Sequence, residues 1–150
     1  MATVDTGVHS LQIKRTVRGT PSRVYRAWTE PAQVARWFAP SSDYEVMVHR
    51  LDVRPGGGYR IEMKRSDGSS HVAIGEYKEM EENVRLAFSW RWEGAPMEDT
   101  LVTVELRSSG DDTEVVLTHS RFTLESQRDE HTKGWTGCLS RLADSFAHAR

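Results

Sequence analysis

The sequence predicts an α+β domain in which a curved antiparallel sheet wraps one long C-terminal helix. Three observations carry this. From Tyr44 to His119 the chain is a run of period-two segments separated by turn signals. Ahead of that run lie one alternating segment and two short helical patches. After it, the apolar spacing changes to three and four, the helical period. Strands that follow one another through short turns pair as hairpins, and segregated strands and helices define the class.

The first strand is read from Leu11, Ile13, Arg15 and Val17, which alternate with Gln12, Lys14, Thr16 and Arg18. Arg15 shares the parity of the apolar set, so a charge is expected on the buried face. There it pairs with a carboxylate at the sheet rim, reaches past the rim to water, or orients an acidic ligand. Thr20-Pro21 ends the strand: Thr20 can cap a helix and Pro21 fits its first turn. Val24, Ala27 and Trp28 then share one helical face. Thr29-Glu30-Pro31 repeats the punctuation before a second short helix carrying Val34, Trp37 and Phe38, which Pro40 stops.

Tyr44, Val46 and Val48 alternate, as do Tyr59, Ile61 and Met63, with Arg54-Pro55-Gly56-Gly57-Gly58 between them as a turn or bulge. Asp67-Gly68 is a hairpin signal and Val72 to Tyr77 the returning strand. Glu81-Glu82-Asn83 turns into Leu86, Phe88, Trp90 and Trp92. Gly94-Ala95-Pro96 connects loosely to Val102, Val104 and Leu106, and Ser109-Gly110-Asp111 leads to Val115, Leu117 and His119. The final segment predicts a helix over 124–146, about 35 Å long at 1.5 Å per residue. Ser126-Gln127-Arg128-Asp129 has the form of a capping box, and His131, Trp135, Cys138, Leu139, Leu142 and Phe146 mark one face. Residues 1–9 are expected to be a flexible start and 10–150 one domain.

Composition excludes several classes. With 20 basic and 22 acidic residues in 150, and no basic block, the footprint of a nucleic-acid binder is missing. The single cysteine, Cys138, forbids an intramolecular disulfide. Met1 to His9 is polar and is not a secretory signal, and no apolar stretch is long enough to span a membrane. A reducing cytoplasm is the expected compartment. Five tryptophans are a large supply of contact area for a core or a pocket wall.

The residues also resemble a known family. The matching segments are Pro21, Ala27-Trp28-Thr29-Glu30-Pro31 and Arg36-Trp37-Phe38-Ala39-Pro40, then Asp52-Val53-Arg54-Pro55-Gly56-Gly57. Gly75-Glu76-Tyr77, Arg85-Leu86-Ala87-Phe88-Ser89-Trp90 and Val102-Thr103-Val104-Glu105-Leu106 follow. Leu117-Thr118-His119 and His131-Thr132-Lys133-Gly134-Trp135 close the set. In order and spacing they resemble the START/Bet v-like (SRPBCC) superfamily, and within it the family named for the activator of heat-shock protein 90 ATPase, over residues 10 to 146. The resemblance implies a helix-grip fold with an internal cavity. It does not imply one reaction, because relatives include carriers, cyclase-like enzymes and co-chaperone domains.

A cavity between sheet and helix would be walled by Trp37, Phe38, Tyr59, Ile61, Met63, Trp90, Trp92, Trp135 and Leu139. The alternative for each is packing in a solid core. His71, His119 and His131 are placed to hydrogen-bond a polar ligand head or move a proton. Their spacing lacks a tight ligand pair, so no metal is expected and no other cofactor is called for. No nucleophile stands out: Ser89 and Ser120 lack a nucleophile elbow, and Cys138 falls on the buried side of a helix. The leading expectation is therefore binding of a small apolar or aromatic molecule, aromatic rings supplying burial and histidines orientation. A chaperone-associated interaction domain and a polyketide cyclase or aromatase-like enzyme are the alternatives. The chaperone reading is weakened by the expectation that the chain opens at its first strand, without the additional N-terminal domain of the namesake activators. A homodimer through a sheet edge or loop surface is compatible with the sequence, which does not demand one.

Overall fold

The computed structural model describes residues 9–147. Seven strands form one antiparallel sheet: β1 (His9–Val17), β2 (Tyr44–Leu51), β3 (Gly58–Arg65), β4 (Ser70–Glu81), β5 (Arg85–Trp92), β6 (Thr100–Ser109) and β7 (Asp112–Phe122). The spatial order is β1-β7-β6-β5-β4-β3-β2, so β1 and β2 are the edges. Helices α1 (Pro21–Thr29) and α2 (Pro31–Trp37) follow β1, and α3 (Glu125–Phe146) follows β7 and packs against β1, β7 and α2. This is the helix-grip α+β architecture expected from the sequence. Among the described residues no helix is long and apolar enough to cross a membrane.

The turns form for the reasons their residues suggest. At Asp67-Gly68, Gly68 takes φ +91°, and the Asp67 carboxylate accepts the Ser69 backbone N–H at 2.8 Å. The glycine-rich segment after β2 folds tightly against β4: the Gly56 N–H donates to the Tyr77 carbonyl and the Tyr77 N–H to the Gly57 carbonyl. Thr20 caps α1 by accepting the Arg23 N–H, with Pro21 in the first turn.

Three expectations need adjusting. The helix α3 begins at Glu125 with Leu124 in the cap position and no side-chain cap, so Ser126 to Asp129 lie inside its first turns and form no capping box. Arg15 is exposed despite its parity, because the inward row of β1 is buried only at Leu11 and Val17 and half-buried at Ile13. The flexible start expected for 1–9 lies outside the described residues, apart from His9, which opens β1.

The apolar stripe of α3 packs as its spacing predicts: His131, Trp135, Cys138, Leu139, Leu142 and Phe146 are all buried. Each large apolar side chain contributes roughly 1.5–3 kcal/mol when fully buried. One close approach fixes where the helix lies. A Cβ on Gly137 would stand 2.1 Å from the Pro40 carbonyl oxygen, so only a bare backbone lets α3 rest on the α2–β2 connection. Gly137→Ala is therefore expected to destabilise the fold by about 1–3 kcal/mol, the usual range for overpacking. Its urea midpoint checks this, and a wild-type midpoint would mean the helix shifts freely.

Candidate functional site

The sheet and α3 do not close on each other along their whole length. Between β3, β4 and β5, the start of α3 and the α2–β2 connection lies a cleft of about 650 Å³, well within the roughly 300–1,000 Å³ of small-molecule sites. Its aromatic wall is Phe38, Trp90, Trp92 and Trp135, with Tyr44 and Met63 from β2 and β3. The floor on the helix side is His131, Gly134 and Cys138, and the mouth carries His71, Glu93 and Glu130. Cys138 is an apolar floor element: burial pushes its thiol up to about 12.

Seven residues expected from the sequence thus come together here: Phe38, Met63, His71, Trp90, Trp92, His131 and Trp135. Five lie elsewhere. Tyr59 and Ile61 face a void of only about 10 Å³ on the other side of Phe38, and the Tyr59 hydroxyl donates to the Ser89 carbonyl. Trp37 packs edge-on against Trp28 at 4.6 Å and donates its indole N–H to the Ala27 carbonyl at 3.0 Å. It borders a separate, basic cleft of about 370 Å³ with Arg23, Arg26 and Arg36. Leu139 is packed in the core.

His119 is the fifth, and its role is legible in its hydrogen bonds. The side chain is fully buried. Trp135 Nε1–H donates to its Nδ1 at 3.0 Å. The Thr100 hydroxyl donates to the Trp90 carbonyl at 2.8 Å, so at 2.6 Å from His119 Nε2 it must accept, and Nε2 carries the proton. Both nitrogens are engaged and the ring is neutral; burial, reinforced by nearby His131, lowers its pKa well below 6.5. His119 holds Trp135, Thr100 and Trp90 in register beneath the cleft wall.

A break in strand parity brings His119 and Phe122 to the same side. Arg121 takes φ +73°, an uncommon conformation for a non-glycine residue, and the pairing with β1 slips between His9/Phe122 and Leu11/His119. This bulge seats Phe122 on His119 and His131, with ring centroids 4.3 and 4.9 Å away. His131 Nδ1–H donates to the Gln127 carbonyl at 2.7 Å. Burial outweighs that bond and the nearby Glu130, and lowers the His131 pKa. Its Nε2 is therefore a bare acceptor at neutral pH, buried and without a partner among the described residues. Trp90 Nε1–H is likewise a buried donor without a partner. Among the described residues no group of three His, Cys, Asp or Glu side chains converges to hold a metal.

Sequence reasoning missed Pro40, Tyr44, Val72, Gly94, Ala95, Glu130 and Gly134. Gly134 had a readable signal. It shares the stripe of His131, Trp135 and Cys138, and a glycine inside an amphipathic helix asks for a reason.

Comparison with known proteins fits this fold. The model of the family described as "Activator of Hsp90 ATPase homolog 1-like protein" matches residues 18–147. The chain belongs to this family. No curated protein matches it. Among solved structures, the AHSA1 protein of Silicibacter pomeroyi superposes with TM-score 0.84 at 18% identity, over 95% of this chain and all of that one (100%). The protein CV1439 of Chromobacterium violaceum superposes at 0.82 with 24% identity, covering 91% of this chain and 96% of that one. CalU16 of Micromonospora echinospora is 27% identical at TM-score 0.69, covering 93% and 77%. The likeness of this AHSA1-like chain to the first two is a likeness of fold.

Proposed function

We propose that this AHSA1-like protein binds a small, largely apolar aromatic molecule in the cleft between β3–β5 and the start of α3. One observation carries the reading: Gly134. A glycine in a helix interior is about 0.8–1 kcal/mol less favourable than alanine. A Cβ at Gly134 would meet nothing within 4 Å, so no packing demand accounts for it. Its effect is to keep the helix wall of an aromatic-lined space open. Burial of apolar ligand surface against Phe38, Trp90, Trp92 and Trp135 supplies the driving force.

Binding is favoured over a histidine-based cyclase chemistry because His119 has both nitrogens committed to Trp135 and Thr100. Among the described histidines only His71 and His131 border the cleft.

The test uses naphthalene as an apolar probe and amide resonances of the ¹⁵N-labelled full chain. Saturable shifts are expected at residues of the cleft. Gly134→Phe, which puts a ring into the space, is expected to weaken them at least tenfold while the protein stays folded. Gly134→Ala is expected to raise stability by about 0.8–1 kcal/mol. The absence of any saturable shift in the wild-type protein overturns the reading. Where the shifts are seen, native mass spectrometry of protein purified from its own host, before and after denaturing extraction, identifies the molecule carried.

A further inference from the structure

A separate cleft of about 370 Å³ lies between α1, α2 and the last turn of α3. Arg23, Arg26 and Arg36 border it, with the single carboxylate of Glu30. Among the described residues none of these three arginines forms an ion pair, whereas Arg60, Arg85, Arg91 and Arg107 on the sheet each stand against an aspartate or glutamate. Glu30 is turned to Gln33, whose side-chain amide donates to it at 2.7 Å. The shortage of partners is written in the sequence. From His9 to Ser42 the chain carries Lys14, Arg15, Arg18, Arg23, Arg26 and Arg36 against Glu30 alone, in a protein of net charge -2. Cations in the last turn of a helix suit its dipole, which accounts for Arg26 and Arg36 one at a time. It does not account for Arg23. That residue lies in the first turn of α1, where the dipole opposes a positive charge and no acidic residue is present. Its guanidinium is held over the Phe146 ring, 5.3 Å from the centroid, in place of a carboxylate, and both side chains line the cleft.

From these unpaired cations we infer that the cleft binds a phosphate monoester, a dianion whose terminal oxygens accept from the guanidinium groups that border it. A guanidinium presents a planar fork of donors that matches phosphate oxygens two at a time. Arg23 and Arg26 are one turn apart on α1, so they project from one helix face. Arg26 and Arg36 are exposed and Arg23 is half-buried, which leaves these flexible side chains open to a ligand from solvent. Three such charges beside one carboxylate leave two positive charges to be met. A monoester near neutral pH supplies nearly that, since its second proton leaves at about pH 6. A carboxylate or a sulfonate supplies one. The volume admits a small body beside the phosphate, toward the lower end of the range for small-molecule sites. Ala27, Trp37 and Phe146 give that body an apolar edge to lie against. The two clefts share no lining residue, so this site stands whether or not the aromatic one holds a ligand.

The experiment titrates the ¹⁵N-labelled full chain, at about pH 7.5, with phenyl phosphate and with benzenesulfonate, which has the same ring and one negative charge. Saturable shifts are expected at amides of α1, α2 and the last turn of α3 and at arginine Nε–H groups, with phenyl phosphate binding about tenfold more tightly. The amide of Gly134, in the aromatic cleft, is the control and is expected to stay in place. The double variant Arg26→Gln/Arg36→Gln changes two exposed side chains, so it is expected to keep the wild-type urea midpoint and to lose roughly tenfold in affinity. Vesicles containing phosphatidic acid locate the source of the monoester. Co-sedimentation that the double variant loses assigns it to a lipid headgroup, and phenyl phosphate binding without co-sedimentation assigns it to a soluble compound. Absence of saturable shifts on α1 and α2, shifts centred on Gly134 instead, or an affinity that the double variant retains overturns the site. Equal affinity for the two probes overturns the assignment to a dianion.

Discussion

Replacing His119 with alanine is expected to remove about 4 kcal/mol of folding stability. Two losses combine. Truncating a large, fully buried side chain leaves a cavity between β7 and α3, and such changes typically remove ~2–5 kcal/mol. The Trp135 indole N–H also loses its acceptor in a place water does not reach, for a further ~1–3 kcal/mol. Partial collapse of neighbours onto the space keeps the sum below the two maxima. Against the ~5–15 kcal/mol available to a typical domain, this is a large fraction. The urea midpoint should fall steeply with an unchanged slope. A loss under 1 kcal/mol would mean that Trp135 finds another acceptor and that His119 is not the joint between strand and helix.

Acidification should unfold the protein earlier than its carboxylates alone would. Burial lowers the pKa of both His119 and His131 in the folded state. In the unfolded chain each imidazole takes up a proton near pH 6.5. Below that pH the unfolded state binds more protons than the folded state, so stability falls as pH falls. The slope approaches about 1.4 kcal/mol per pH unit for each histidine held neutral. The carboxylates of Asp52, Glu62, Asp67 and Glu93, lowered chiefly by hydrogen bonds from Arg54, Ser70, Ser69 and Arg60, add their share only below about 4.5. The window between pH 6.5 and 5 is therefore a histidine window. Urea unfolding at half-unit pH steps measures it. A flat stability across that range would show that both rings take up protons in the folded protein as they do in the unfolded chain, contrary to the Trp135–His119 bond.

Alternation and helical spacing were enough to lay out the architecture, because each element is amphipathic and sets its own inward face. Tyr59, Ile61 and Met63 read as one inward row of β3, and they are one. What parity does not reveal is where along that row the space opens. Phe38, arriving from the end of α2, borders both the cleft and the small void and so divides Met63 from Tyr59 and Ile61. The position of a divider contributed from 21 to 25 residues earlier is a matter of tertiary packing. The fate of His119 was hidden for a similar reason. Its partners, Thr100 and Trp135, lie 19 and 16 residues away and meet only when β6, β7 and α3 assemble. The extent of α3 was legible and its cap was not, because a serine followed three residues later by an acidic residue has the same spacing inside a first turn as at a helix start.

The aromatic residues of this molecule form a connected path. Trp37 touches Trp28 at 4.6 Å, Trp28 lies 6.3 Å from Trp135, Trp135 lies 5.1 Å from Trp90, and Trp90 lies 5.2 Å from Trp92. All five indoles of the chain are on it. At such separations electronic excitation passes between neighbouring rings faster than it is emitted. Light absorbed anywhere along the path migrates to the indole of lowest energy, which is the most solvated one. That is Trp92, the half-exposed end of the path, and it stands in the cleft wall. The five chromophores thus act as an antenna with a single outlet, and the colour and yield of the protein's ultraviolet emission are set by whatever occupies the space beside Trp92.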